Sequence, residues 1–275
     1  MNWLQALFLG IIQGLTEFLP VSSSGHLMIV RELLGVDSEG FLDFTVTVHL
    51  ATVLSTLVVF WKPICRLVAG LFKFKYNDET DYVAKLVVSM IPVALVGFLF
   101  KDKVEALFGD SLTTVAVCLL VTAALLLLSD LFGSAGRGTA SGERNASRNG
   151  INFWQAFVVG LGQAFAVAPG LSRSGTTIAT GLLCGVKREA MAQFSFLMVL
   201  VPIIGEQMLD ILKSVTGEAA LGGGVSPVCL VAGFVAAFLS GLFACKAMVA
   251  LVKKARLGWF ALYCLIVAVL IFILA

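Results

Sequence analysis

The chain has 275 residues, of which 59% are hydrophobic and 13% charged, and its formal net charge is +2. An average soluble domain carries about 25% charged residues, so this composition argues against a water-soluble fold. The Lys and Arg residues are too few and too dispersed for a nucleic-acid surface, and they are better read as determinants of membrane topology.

The first 16 residues hold no Lys or Arg and run into Glu17 and Pro20, unlike the charged start of a cleavable signal peptide, so the N-terminus is expected to be retained. Apolar stretches of about 17 to 25 residues cross roughly 30 Å of hydrocarbon as helix. Six such stretches lie at 41–60, 83–100, 111–132, 190–212, 226–249 and 255–274. Two further apolar regions, 3–33 and 151–186, are interrupted halfway, at Glu17 to His26 and at Pro169 to Thr177. Non-helical backbone at membrane depth is tolerated only inside a bundle or beside a cavity, so each interruption predicts a re-entrant segment and a candidate site. The polar stretch 133–150, rich in Gly, Ser, Arg and Asn, reads as a flexible linker between two halves, 1–132 and 151–275. The expected fold is therefore an all-α polytopic membrane protein with six spanning helices and two broken re-entrant segments.

The halves resemble each other. A shift of 150 pairs Gln5, Ala6, Gly10, Gln13, Ser22, Ser24 and Gly25 with Gln155, Ala156, Gly160, Gln163, Ser172, Ser174 and Gly175, seven identities in 22 positions. With three spanning segments per half, the second half is expected to be inverted relative to the first, as in inverted-repeat transporters. The loops at 61–85, 133–189 (Arg173 set aside) and 246–256 then hold 14 Lys and Arg, against four (Arg31, Lys101, Lys103 and Lys213) on the other side. The positive-inside rule places the linker in the cytoplasm and opens the first broken segment to the outer face. Cys65, Cys118, Cys184, Cys229, Cys245 and Cys264 form no C-x-x-C pair and read as small buried hydrophobes.

The first interruption reads QGLTEFLPVSSSGH from Gln13 to His26. Gln13 and Glu17 are four apart on one helical face and suit a shared cation or water. Pro20 stops the helix, and Ser22, Ser23 and Ser24 at a new helix start suit an anion such as phosphate, although helix capping explains Ser22 and Ser24 equally well. The second interruption, PGLSRSGTT from Pro169 to Thr177, offers the Arg173 fork together with the hydroxyls of Ser172, Ser174 and Thr177. An uncompensated charge at bilayer depth costs roughly 2.5–3.5 kcal/mol, so Glu17 and Arg173 are expected to have partners and a task. His49 reads as an interior residue or a lining of the same cavity, Glu206 is similarly ambiguous, and the Gly and Met residues of the spanning helices read as packing.

The two signatures resemble the (E/Q)xxxE and PGxSRSxxT motifs of undecaprenyl-diphosphate phosphatases of the UppP (BacA) type, and the resemblance covers essentially the whole chain. It implies a bacterial inner-membrane enzyme that releases phosphate from undecaprenyl diphosphate with a divalent metal, Mg²⁺ or Ca²⁺. Such an enzyme recycles the carrier for peptidoglycan synthesis and confers bacitracin resistance. By the same resemblance Glu17 and Arg173 match the acidic and basic members of the signatures, and Ser23 and His26 the proposed catalytic pair. Gln13 stands where many members have Glu. A consistent scheme has Ser23 or water as nucleophile, His26 as general base or acid, Glu17 holding the metal and Arg173 stabilising the transferring phosphoryl. Nothing in the sequence fixes the oligomeric state, and a homodimer stays open. The alternative from another class is a lipid-carrier flippase or other secondary transporter, which would not need the Ser, His, Glu and Arg cluster if its solute were neutral. The type 2 phosphatidic acid phosphatases, with a PSGH element similar to SSSGH, need a later His, and none follows His49.

Overall fold

A computed structural model describes residues 1–37, 40–99, 111–133, 149–168, 170–215, 225–254 and 256–274. Among these residues the chain forms eleven helices and no strand. They are α1 (Trp3–Phe18), α2 (Ser23–Leu33), α3 (Phe41–Val59), α4 (Trp61–Leu71), α5 (Asp78–Leu99), α6 (Leu112–Phe132), α7 (Phe153–Phe165), α8 (Arg173–Leu183), α9 (Arg188–Val215), α10 (Pro227–Lys254) and α11 (Gly258–Leu274). Most of the linker, Lys101, Lys103, Pro169 and the side chains of Glu206 and Lys213 lie outside the described residues.

Helices α3, α5, α6, α9 and α10 are long and apolar enough to cross a membrane. The sixth predicted span, 255–274, appears as α11, which starts at Gly258 and has 17 residues. At 1.5 Å per residue that is about 25 Å, shorter than the other five. Helix α4 falls inside a segment expected to be a loop. Its 11 residues, with Lys62 and Arg66 beside exposed Trp61 and Val68, are too short and too charged to register as an apolar stretch.

Both broken segments are built by the same local devices. Asn2 and Gln5 form a reciprocal capping box at the start of α1, and Asn152 and Gln155 repeat it at the start of α7. The Gln5 amide then donates to the Leu34 carbonyl at 3.1 Å, and the Gln155 amide to the Cys184 carbonyl at 2.9 Å, again 150 residues on. Each pair ties the outer end of a broken segment back to its own start, so α1 with α2, and α7 with α8, form closed hairpins.

The packing is crosswise. Helix α1 lies along α10 and α7 lies along α5, while α3 meets α9 and α6 meets α11. Glycine permits the two close crossings: a Cβ on Gly10 would collide with the Gly233 carbonyl, and one on Gly160 with the Ser89 carbonyl. The breaks themselves fall at the centre of this arrangement, against α6. Gly170, with φ 88°, sits so close to α6 that a Cβ would come within 3.1 Å of Val115 Cα.

Two ion pairs tie helix ends together. Lys85 is 1% exposed and pairs with Asp81, which also accepts from the Tyr76 hydroxyl and the Asn149 amide. Arg188 reaches Asp130 at 2.8 Å, and Asp130 also accepts from the Gly258 backbone N–H. The first set joins the start of α5 to the residues ahead of α7, and the second clamps the starts of α9 and α11 to the end of α6.

Candidate active site

Helix α1 ends because Leu19, which precedes Pro20, is extended (φ −75°, ψ 145°), and a residue before proline is barred from the helical region. The chain restarts at Ser22, whose φ of 71° is rare for a residue with a Cβ. Two bonds hold that conformation: the Ser22 hydroxyl accepts from the Gly25 N–H at 3.3 Å, and the Ser22 carbonyl accepts from the His26 Nδ1–H at 2.7 Å. At the second break Ser172 caps α8 by accepting from the Gly175 N–H at 3.0 Å, and its own N–H donates to Thr122 on α6.

The breaks are bonded to each other. The Gly170 N–H donates to the Ser24 hydroxyl at 3.3 Å, and the Ser174 hydroxyl donates to the Leu19 carbonyl at 3.1 Å. Backbone groups released where each helix stops thus find partners on the other, as burial requires.

At this junction four side chains converge on Glu17. Its Oε2 accepts from the Gln13 amide at 2.8 Å and from the Ser23 hydroxyl at 2.5 Å. His49 Nε2, from α3, lies 3.7 Å from the same oxygen, and Arg173 Nη2 lies 3.8 Å from Oε1. The carboxylate is 10% exposed and the guanidinium 28%, so the cation keeps access to solvent or ligand while the anion is enclosed. Beside them a small cleft is lined by Glu17, Thr52, Thr56, Arg173, Ser174 and Ser195 on one hand and by apolar side chains such as Phe18, Phe196 and Leu200 on the other. A phosphate there would meet the planar cation of Arg173, with Ser23 bonded to the neighbouring Glu17 carboxylate.

Other residues singled out from the sequence point elsewhere. Ser22 and Ser172 are caps and Ser24 is a bridge between the breaks. Thr177 is fully buried and engages the Arg173 carbonyl and the Ser195 hydroxyl, an arrangement that secures the first turn of α8 against α9. His26 Nε2 meets the Tyr263 hydroxyl of α11 at 2.7 Å, and the two rings stack at 5.6 Å. Both nitrogens of His26 are therefore engaged away from Glu17. Tyr263 had no signal in the sequence, since nothing local connects it to a residue 237 positions earlier.

The divalent metal expected from the resemblance can be tested against these donors. Among the described residues no group of three or more His, Cys, Asp or Glu lies together. Glu17 and Gln13 nevertheless fit an ion that takes its remaining ligands from substrate oxygens, as Mg²⁺ sites commonly do. The Gln13 side chain is fully buried and its Oε1 has no hydrogen-bond partner, an acceptor left for a cation.

A phosphate-handling cluster where two broken helices meet inside a bundle of apolar spans defines an integral membrane phosphatase. The family model described as "Bacitracin resistance protein BacA" matches residues 6–270, and the chain belongs to that family. It is 52% identical to an undecaprenyl-diphosphatase of Bacteroides fragilis over 98% of this chain and 97% of the relative. To that of Christiangramia forsetii it is 46% identical, over 100% and 99%. To that of Methanobrevibacter smithii it is 39% identical, over 99% and 97%.

Proposed function

We propose that this chain, an undecaprenyl-diphosphate phosphatase of the bacterial inner membrane, attacks the terminal phosphorus of its lipid with Ser23. The Ser23 oxygen forms the new bond to phosphorus, its proton passes to Glu17, and the bond to the bridging oxygen breaks, leaving undecaprenyl phosphate. Water then cleaves the phosphoserine, giving inorganic phosphate and restoring the hydroxyl. The carrier is thereby returned to cell-wall synthesis, and abundance of the enzyme gives bacitracin resistance.

The observation that carries this reading is the 2.5 Å bond from Ser23 to Glu17 beside Arg173. Phosphoryl transfer needs chiefly positioning and charge neutralisation. Glu17 orients and deprotonates the hydroxyl, and Arg173 draws charge from the equatorial oxygens. His26 fixes the Ser22 turn that aims Ser23, and acid–base duty for its Nε2 requires that nitrogen to leave Tyr263. Ser174 and the first turn of α8 receive phosphate oxygens. A divalent ion, Mg²⁺ or Ca²⁺, held by Glu17 and Gln13 would supply Lewis acidity toward the diphosphate. The excess of Lys and Arg in the linker-side loops supports a site open to the outer, periplasmic face.

The test is phosphate release from undecaprenyl diphosphate by the purified protein, with Ser23→Ala and Glu17→Gln as controls. Release by wild type, loss in both variants and capture of a phosphoserine by acid quench are expected. Transfer of the lipid between leaflets with no phosphate released would favour the transporter reading instead.

A further inference from the structure

We infer that His49 is a direct ligand of the divalent metal at Glu17, and that this nitrogen turns the site's preference from Mg²⁺ and Ca²⁺ toward Mn²⁺ and Zn²⁺. The inference rests on the metal part of the reading above and deepens it.

The imidazole is set up as metal-binding histidines usually are. His49 Nδ1 lies 2.8 Å from the Thr45 carbonyl, which can only accept, so Nδ1 carries a proton, and in the neutral imidazole it is Nε2 that presents a lone pair. A backbone carbonyl on the far nitrogen is the usual device that fixes the tautomer and ring orientation of a metal-binding histidine. The lone pair faces Glu17 Oε2 at 3.7 Å, beyond hydrogen-bond length, so the carboxylate does not use it. A cation bound between them would be met by an imidazole nitrogen and a carboxylate oxygen.

The spacing fits one ion. Ligands about 2.1 Å from a six-coordinate metal stand about 3 Å apart. Gln13 and Glu17 already have terminal atoms 2.8 Å apart, and a half-turn of the amide places Oε1 on that edge. His49 and Glu17, 3.7 Å apart, need to close by about 0.7 Å to reach that spacing. In the present orientation Gln13 Oε1, in a side chain with no exposure, has no hydrogen-bond partner, and the half-turn would give it the ion. Arg173 stands at the other carboxylate oxygen, so an ion at Oε2 would take the place of the Gln13 amide donor there. Substrate oxygens complete the shell. One imidazole among oxygen donors favours first-row transition metals over Mg²⁺ and Ca²⁺, because carboxylate and carbonyl ligands alone suit the latter.

The experiment is Mn²⁺ binding to the full-length protein in detergent, followed by pulsed EPR on protein labelled with ¹⁵N-histidine. Wild type should show a ¹⁵N coupling from one directly bound imidazole. His49→Gln should lose the coupling and bind Mn²⁺ about 10–100-fold more weakly, with Mg²⁺ affinity changed by less than about threefold. His49→Cys, a folded control carrying a softer ligand, should gain affinity for Cd²⁺. Mn²⁺ bound in wild type without the ¹⁵N coupling, or no Mn²⁺ bound at all, overturns the inference while leaving phosphate release by Ser23 intact. If Glu17→Gln keeps full Mn²⁺ affinity, the metal assignment at Glu17 fails and the inference with it.

Discussion

Ser23 donates to Glu17 although the chain between them leaves one helix, turns through a left-handed residue and enters another. Six residues of separation would not bring the two side chains together on a continuous helix, where neighbours are three or four apart. The break creates the contact. Ser23→Ala should therefore lower the rate of phosphate release by at least about 10³-fold, with Glu17→Gln similar and the double variant scarcely worse, because the two act as a unit. Steady-state kinetics on folded, monodisperse protein check this.

Arg173→Lys keeps the charge but removes the planar fork. A drop in kcat of about 10–100-fold is expected, larger than any rise in KM, since the guanidinium is assigned to charge that develops during transfer. Equal effects on both constants would place Arg173 in ground-state binding instead.

Tyr263→Phe removes the hydroxyl that engages His26 and keeps the ring that stacks on it. If His26 serves mainly to hold the Ser22 turn, kcat should fall by no more than about tenfold, and thermal stability by about 1 kcal/mol, the usual net worth of one hydrogen bond. A rise in rate would show that the hydroxyl restrains an acid–base histidine.

Lys85→Met strands the Asp81 carboxylate in a buried position and should destabilise the protein by about 3–5 kcal/mol, whereas replacing both members with apolar residues should recover much of the loss. Denaturant titration in detergent distinguishes the two. Gly160→Leu should be worse still, because its side chain has only the Ser89 backbone to enter.

Much of this was legible in the residues. Gln13 and Glu17 are adjacent because a helical face fixes it, and the helix stops after Phe18 because Leu19 precedes Pro20. The apolar lengths located the long spans. Helix α4 was hidden, since eleven residues interrupted by Lys62, Pro63 and Arg66 lack the length that hydropathy detects. His49 reads as an interior residue or as a lining of the same cavity, since its neighbours in VTVHLATV are apolar and do not decide between the two. Only tertiary packing of α3 against the first break puts it beside a carboxylate. The bonds from Ser24 to Gly170 and from Ser174 to Leu19 join positions about 150 residues apart, where no local pattern reaches.

Positions 23 and 173 occupy the same place in their two motifs, each the residue after a capping serine, yet one bears a hydroxyl and the other a guanidinium. Both address a single carboxylate. The seam between the halves consequently has a direction: a diphosphate with one esterified and one free end has one productive way to lie across it. On the proposed mechanism, two copies of a motif thus form one productive site, and one lipid per chain is the occupancy expected at it.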